Sequence, residues 1–385
     1  MIGLRHPHHH LTTPGHWSQF SSLFWAHTLR MFSISLVLVL IAIYLQGVGF
    51  TFRQTLLFFL LQGVFWLALI YPAMRLIARI GPNRAMAVGS VFVVGYLFTL
   101  LTIERFNLPL WLPAFFWGAM VAPYWFSLRL SFSKAVNRRN AGRQVGLVAA
   151  VVLGAMGVAP AIGGILATSV GIEIVYAIAI GLTILAYAPL LGRGTRFVPT
   201  RPKLSIARAR KILPDLVANG SYTVEDLIST SAWPLLIFLV IPSYAGVGIM
   251  SSVIVISAMI ISLVIGRREE VKGTKGYIRE GSWLYGIGNL LRLAAVNTGF
   301  VFSSNFLVGA GHAMIETPFT TRYYKHADEG RRMEYVFWMQ IASATGWILM
   351  AGVLCLLALW LPPREALIVG IAASVPASLG ITKMR

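Results

Sequence analysis

Residues 192–214 read GRGTRFVPTRPKLSIARARKILP, a proline-bearing connection with seven basic residues. Long apolar stretches lie on both sides of it, six before and six after. A helix that crosses the hydrocarbon core of a bilayer needs about 20 mostly apolar residues. Twelve segments meet that length, at roughly 27–48, 54–74, 84–103, 107–128, 145–168, 171–192, 217–242, 245–266, 280–299, 301–321, 335–360 and 364–381. The composition agrees: 57% of residues are hydrophobic and 12% charged, against about 45–50% and about 25% in soluble domains.

The basic residues mark the sides of the membrane. The second, fourth, sixth, eighth and tenth gaps hold Arg75, Arg79 and Arg84; Arg129 to Arg143; Arg193 to Lys211; Arg267 to Arg279; and Arg322 to Arg332. The intervening gaps hold only Arg53, Arg105 and Arg364, and Arg292 falls within a span. Loops on the cytoplasmic side carry such an excess, so both termini and the central loop are expected in the cytoplasm, consistent with a bacterial inner membrane. The net charge of +19 therefore reports topology, and no nucleic-acid partner is expected. Cys355 is the only cysteine, which excludes an intramolecular disulfide. Residues 1–26 form a polar tail without the apolar core of a cleavable signal peptide. Its His6, His8, His9 and His10 read as incidental histidines, and no metal site is assigned.

The two halves echo one another. Arg129 and Arg322, Arg138 and Arg331, Arg139 and Arg332, Phe126 and Phe319, Arg75 and Arg268, and Arg79 and Lys272 are each 193 positions apart. Several matches at one offset imply a duplicated six-helix unit, with bundles at 27–192 and 217–385 joined by a basic linker at 193–216. Transporters built from parallel repeats place their substrate site between the halves, near the midplane.

Twelve spans as six plus six, with a basic central loop, resemble the major facilitator superfamily over the whole chain. The loop between spans two and three, AMRLIARIGPNRAMAVG (residues 73–89), is similar to the signature loop of that family. Arg79, Gly81 and Arg84 match it, whereas Ala78 stands at the acidic position and Met74 at the first glycine. Span five carries GAMGVAPAIGGILA (154–167), whose Pro160, Gly163 and Gly164 resemble the so-called antiporter motif. Small residues allow close helix approach and proline bends a helix. The sequence RRNAGRQVG (138–146) looks like the arginine–glycine start of span five found in relatives. Relatives that use protons often carry an arginine in the outer part of span four; LPLWLPAFFWGAMVAPYW (108–125) has none.

Ionisable groups at membrane depth cost about 2.5–3.5 kcal/mol on insertion scales. Here they cluster in the second half: Glu225 and Asp226 in span seven, Arg292 in span nine, His312 and Glu316 in span ten. The resemblance implies that spans one, four, seven and ten line a central cavity. His312 and Glu316 are four apart and share a helix face, whereas Glu225 and Asp226 point about 100° apart, so one of them is expected to face the cavity squarely. Three structural readings stand beside these: caps at a later start of span seven, a Glu316–Arg322 pair, and a pairing of Arg292 with Glu280 or a span-seven carboxylate. In the first half Trp117 and Tyr124, seven apart on span four, suggest an aromatic wall.

The expected architecture is an all-α polytopic membrane protein with twelve transmembrane helices in two pseudo-symmetric bundles. The expected function is secondary transport of a small solute by alternating access, proton-coupled and without a cofactor, carried by a monomer in the lipid bilayer. A facilitator, a non-transporting receptor or scaffold and a lipid-modifying membrane enzyme are the alternatives.

Overall fold

The computed structural model describes residues 14–135, 141–191, 203–265, 274–328 and 331–384. Among them are twelve long helical segments and no strand. Span one is α1 (Pro14–Leu38) continued by α2 (Ile41–Gly47). Spans two to six are α3 (Phe52–Ile80), α4 (Pro82–Leu101), α5 (Trp111–Ala135), α6 (Ala141–Ser169) and α7 (Ile172–Leu191). A short basic helix, α8 (Ile206–Lys211), precedes span seven, which is α9 (Leu213–Leu227), a π turn (Ile228–Ala232) and α10 (Trp233–Val240). The last five spans are α11 (Tyr244–Ile265), α12 (Thr274–Leu293), α13 (Thr298–Asp328), α14 (Arg332–Trp360) and α15 (Pro363–Gly380).

Eight of these runs are long and apolar enough to cross a membrane on composition alone. The remaining four, α5, α7, α12 and α13, are shorter in their described apolar part or diluted by Tyr, Trp, Pro, Asn, His and Glu. Two of them, α12 and α13, carry the polar groups of the site described below. Large apolar side chains such as Val91, Ile184, Leu185, Leu349 and Leu356 are exposed, which suits a lipid-facing surface. Trp25, Trp111 and Trp360 are exposed at span ends, where indole rings favour the membrane–water interface.

The two halves pack by the same plan. In the first, α1 lies against α6 and α7, α3 against α5, and α4 against α5 and α7. In the second, α9 lies against α14 and α15, α11 against α13, and α12 against α13 and α15. Phe126 and Phe319, at the 193-residue spacing, are both buried on the corresponding helices α5 and α13. The lead helices also break at matching places: the turn at Val39–Leu40 and the end of the π turn at Ala232–Trp233 are again 193 apart.

Two seams join the halves. In one, α6 meets α11 backbone to backbone: a Cβ on Gly164 would strike the Tyr244 carbonyl and the Gly248 Cα, and one on Gly248 would strike the Pro160 carbonyl. Gly163, on the other side of α6, is pressed in the same way against the Leu36 carbonyl of α1. Ser252 accepts from the Ala161 N–H at 3.0 Å, and Thr168 from the Ala245 N–H at 3.1 Å. In the other seam α3 meets α14. Trp66 donates to Gln340 (3.2 Å) and Trp347 to the Phe59 carbonyl (2.8 Å), so both indole donors are satisfied across the interface. Arg53 donates to the last carbonyls of α14, Ala358 at 2.9 Å and Leu359 at 3.4 Å, a favourable place for a cation.

Several boundaries differ from the sequence expectation. Helix begins at Pro14, inside the segment read as a tail, and His6 to His10 lie outside the described residues. Span nine ends at Leu293 and not near 299, because the chain turns at Ala294–Asn297 before α13. The central loop from 192 to 202 lies outside the described residues, as do Arg138, Arg139, Arg268 and Lys272, one member of each of four 193-residue pairs.

Candidate functional site

A central cavity of about 130 Å³ lies between the halves, space for several waters or a small solute. Its first-half wall is Ser35, Leu38 and Val39 from span one with Leu153, Met156 and Pro160 from α6. That wall is apolar except for Ser35. The second-half wall holds Tyr222, Glu225, Asp226, Ser229 and Thr230 from span seven, Tyr285 from α12 and His312 from α13. Both lead-helix breaks border it. π turns are frequent at functional sites because they shift side-chain phase by one residue.

Glu225 and Asp226 stand at the middle of span seven, which runs from Leu213 to Val240. They are therefore not caps at a later helix start. Both border the cavity, in different ways. Asp226 is exposed toward it, whereas Glu225 is buried (2%) and engaged behind the wall. Asn289 of α12 donates to Glu225 Oε2 at 2.7 Å, and Arg292 donates to Asn289 Oδ1 at 3.0 Å and to Ser229 Oγ at 3.3 Å. Ser229 Oγ also lies 2.9 Å from the Tyr285 hydroxyl. Arg292 is completely buried, its guanidinium 4.7 Å from the Trp233 ring centre. It reaches the span-seven carboxylate through Asn289 and does not pair with Glu280, which is exposed.

Glu316 is held by Tyr222, whose hydroxyl donates to Oε2, and by Thr320, which donates to Oε1 at 3.1 Å. The expected pairing with Arg322 does not form; Arg322 donates to the Met384 carbonyl at 2.8 Å. His312 borders the cavity and packs on the Tyr222 ring at 5.9 Å. Tyr222 thus links the two candidates of span ten to span seven. It escaped the sequence reading, although Tyr222, Asp226 and Ser229 follow the i, i+4, i+7 spacing of one helix face.

Neither aromatic of span four lines the cavity. Trp117 packs between Tyr96 (5.1 Å) and Trp347 (6.4 Å). Tyr124 is buried, its hydroxyl 2.6 Å from His27 Nδ1, with the Arg30 guanidinium 3.5 Å above its ring. Arg79 and Arg84 are exposed and form no ion pair with a described residue, while Ala78 and Met74 of the same loop are buried. Gly81 has φ 87° between α3 and α4, a conformation that favours glycine.

Arg30 is a second buried guanidinium that the sequence reading missed, because it sits near the start of span one and reads as interfacial. It is 1% exposed; its Nη atoms approach the sulfurs of Met31 (3.7 Å) and Met120 (3.9 Å), its guanidinium lies over the Tyr124 ring, and it forms no ion pair with a described carboxylate. The only carboxylates in residues 1–192 are Glu104 and Glu173, which lie at the far ends of their spans. A desolvated charge without a counterion burdens folding, and replacing buried charges by apolar residues of similar volume is often stabilising by about 1–4 kcal/mol. Arg30→Met is therefore expected to raise the thermal midpoint of the purified protein by several degrees. A fall of that size would show instead that the cation–π contact with Tyr124 outweighs the desolvation.

The arrangement is a twelve-helix protein with a carboxylate-bearing cavity between two alike halves, suited to binding a solute at mid-membrane. The model of the Major Facilitator Superfamily matches residues 23–351. Solved structures that share the fold include two of a bacterial homologue of the iron transporter ferroportin in its outward-facing state, one with soaked iron. The iron-soaked one has a TM-score of 0.66 at 12% identity and the other 0.67 at 13%; each alignment covers 94% of this chain and 98% of the other. No match was found among curated proteins. The chain is a membrane transporter that belongs to the major facilitator superfamily.

Proposed function

We propose that the chain is a proton-coupled secondary transporter of a small organic cation, working by alternating access as a monomer. The two bodies that rock would be 27–192 and 217–385, joined by the linker at 193–216. The observation that carries the substrate class is Asp226, a carboxylate open to a cavity whose opposite wall is apolar. A cationic head with a hydrocarbon body matches both walls, since small-molecule sites combine a mostly apolar lining with a few placed polar groups. Among the described residues no arginine or lysine borders the cavity, which disfavours anions.

The structural neighbours include a homologue of an iron transporter, and at 12–13% identity that likeness is one of fold. Among the described residues no three His, Cys, Asp or Glu side chains gather as a metal-holding set, so an organic cation is the better reading. Counterflow of tetraethylammonium in proteoliposomes tests it. Saturable exchange, competed by other small quaternary amines and indifferent to benzoate, is expected. Transport of ferrous ion without exchange of the amine would overturn the reading.

The excess of basic residues in alternate loops supports a topology with both termini and the central loop in the cytoplasm of a bacterial inner membrane. Reporter fusions after Arg201 and after Arg385 are expected to give the cytoplasmic signal, and an external signal from either would reverse the orientation.

A further inference from the structure

We infer that the adjacent carboxylates divide the work: Asp226 holds the cationic solute, and Glu225, backed by Asn289 and Arg292, carries the proton that is exchanged for it. The inference rests on the reading of the cavity as a cation site and adds the coupling group and the direction of exchange.

The geometry separates the two residues. Asp226 faces the cavity with an accessible carboxylate. Glu225 has one oxygen, Oε2, held by Asn289, while Oε1 is buried and has no hydrogen-bond partner among the described residues. Oε1 is thus the free lone-pair site on a residue that borders the cavity. Behind it, Arg292 is fully buried, and its Nε and Nη2 likewise lack partners among the described residues. A guanidinium stays charged at all working pH values. Its nearest carboxylate, one asparagine away, is Glu225.

Charge bookkeeping then couples proton and solute. With Glu225 ionised, it and Arg292 cancel, and Asp226 leaves the cavity with a net negative charge that favours a cation. When Oε1 takes a proton from cavity solvent, Arg292 is left uncompensated. Ser229, which accepts from Arg292, and Tyr285 beside it border the cavity between that charge and the solute. Asp226 and Arg292 then cancel, and the cation loses its attraction. Returning the proton to solvent on the other side restores the site. Proton and solute compete, and competition within one alternating cavity produces exchange in opposite directions. Opposite-sign effects within a site of low dielectric are strong enough for this because buried charges are poorly screened.

The other charged or titratable groups around Glu225 are Tyr222 and Asp226 on its own helix, Tyr285 and Arg292 on α12, and His312 and Glu316 on α13. Glu316 is occupied by Tyr222 and Thr320, and His312 packs on Tyr222. Among the described residues the faces of span one, α6 and α11 toward the cavity carry no titratable group, and none of α14 or α15 appears in its wall. Asn289 and Arg292 act as positioning residues.

The test uses full-length protein in proteoliposomes with tetraethylammonium, which has no titratable proton of its own. Glu225→Gln mimics the proton-loaded state and leaves Arg292 uncompensated, so equilibrium exchange is expected to fall at least about tenfold and to lose its dependence on pH. Combining Glu225→Gln with Arg292→Gln removes both charges, and exchange should recover while a pH gradient no longer drives flux beyond it. In Asp226→Asn exchange and driven flux fall together. Exchange that keeps its wild-type rate or pH dependence in Glu225→Gln, or gradient-driven flux that survives in the double variant, overturns the inference. If Glu225→Gln fails to fold, Glu225→Asp replaces it: the pH midpoint of driven flux should move, and an unmoved midpoint overturns the assignment. Infrared pH-difference spectra of the purified protein provide a readout that needs no solute. A carboxylic-acid carbonyl band should vanish in Glu225→Gln and persist in Asp226→Asn and His312→Gln; a band that survives Glu225→Gln excludes Glu225 as the proton site. Wild-type protein that fails to exchange tetraethylammonium while keeping the Glu225 band would overturn the substrate class alone.

Discussion

Asp226→Asn is expected to lower exchange of a small organic cation by about a hundredfold, with little change in the amount of folded protein. Asparagine has the size and shape of aspartate, so the wall of the cavity is kept and only the charge is lost. Removing one member of a desolvated, contacting charge pair costs about 2–5 kcal/mol, and each 1.4 kcal/mol is tenfold in affinity. The lower part of that range suits a carboxylate open to a cavity, hence about two orders of magnitude. Glu104→Gln is the matched control, because Glu104 is exposed in the turn after α4 and lies outside the cavity lining. Equilibrium exchange measured with both variants decides the point. If Asp226→Asn keeps the wild-type affinity for tetraethylammonium, the cation is not held at Asp226.

Much of this arrangement was legible before any coordinates. Apolar length located twelve segments, and a long helix stands at each, eight of them apolar enough to cross a membrane on composition alone; a spanning segment must satisfy its backbone polar groups within its own helix. The 193-residue echo reappears as matched packing and as matched breaks in spans one and seven. Glu225, Asp226 and His312 do border one cavity, because an ionisable group in a span has few other places to go. Partners were another matter. In a bundle every helix is flanked on several sides, so the shared face of Trp117 and Tyr124 could not say which neighbour it met. Tyr124 turned to Arg30 and His27, and Trp117 to Trp347. Glu316 chose Tyr222 over the basic residue nearest in sequence, because a hydroxyl across the helix interface lies closer than a side chain six positions along α13. The link from Glu225 to Arg292 runs through Asn289, whose role depends on the depth at which α9 and α12 cross. Hydropathy fixes that depth to a few residues at best, and the misplaced end of span nine shows the size of the error.

Gly164→Val is expected to reduce flux at least about tenfold, from the cost of overpacking a tight seam, whereas Gly181→Val should leave flux unchanged. The two substitutions add the same atoms in helices of the same half. At Gly164 the new Cβ meets the Tyr244 carbonyl and the Gly248 Cα of α11, both backbone atoms. A rotamer change cannot clear them; α6 and α11 must move apart, opening the seam where the Ser252 and Thr168 hydroxyls accept from backbone N–H groups across it. At Gly181 nothing lies within 4 Å of the new Cβ, and the residue is exposed. Helix propensity does not separate the two, because both sites exchange glycine for valine within a helix. Insertion should also be alike, since valine is apolar. The difference in flux therefore isolates the contact between the halves. A seam of small residues packs by close van der Waals approach without long interlocking side chains, so it can part and re-form as two bodies rock. Flux per folded molecule, with folded fraction read from size-exclusion profiles, is the measurement. Equal flux in the two variants would mean that α6 and α11 tolerate separation and that the seam does not govern the conformational cycle.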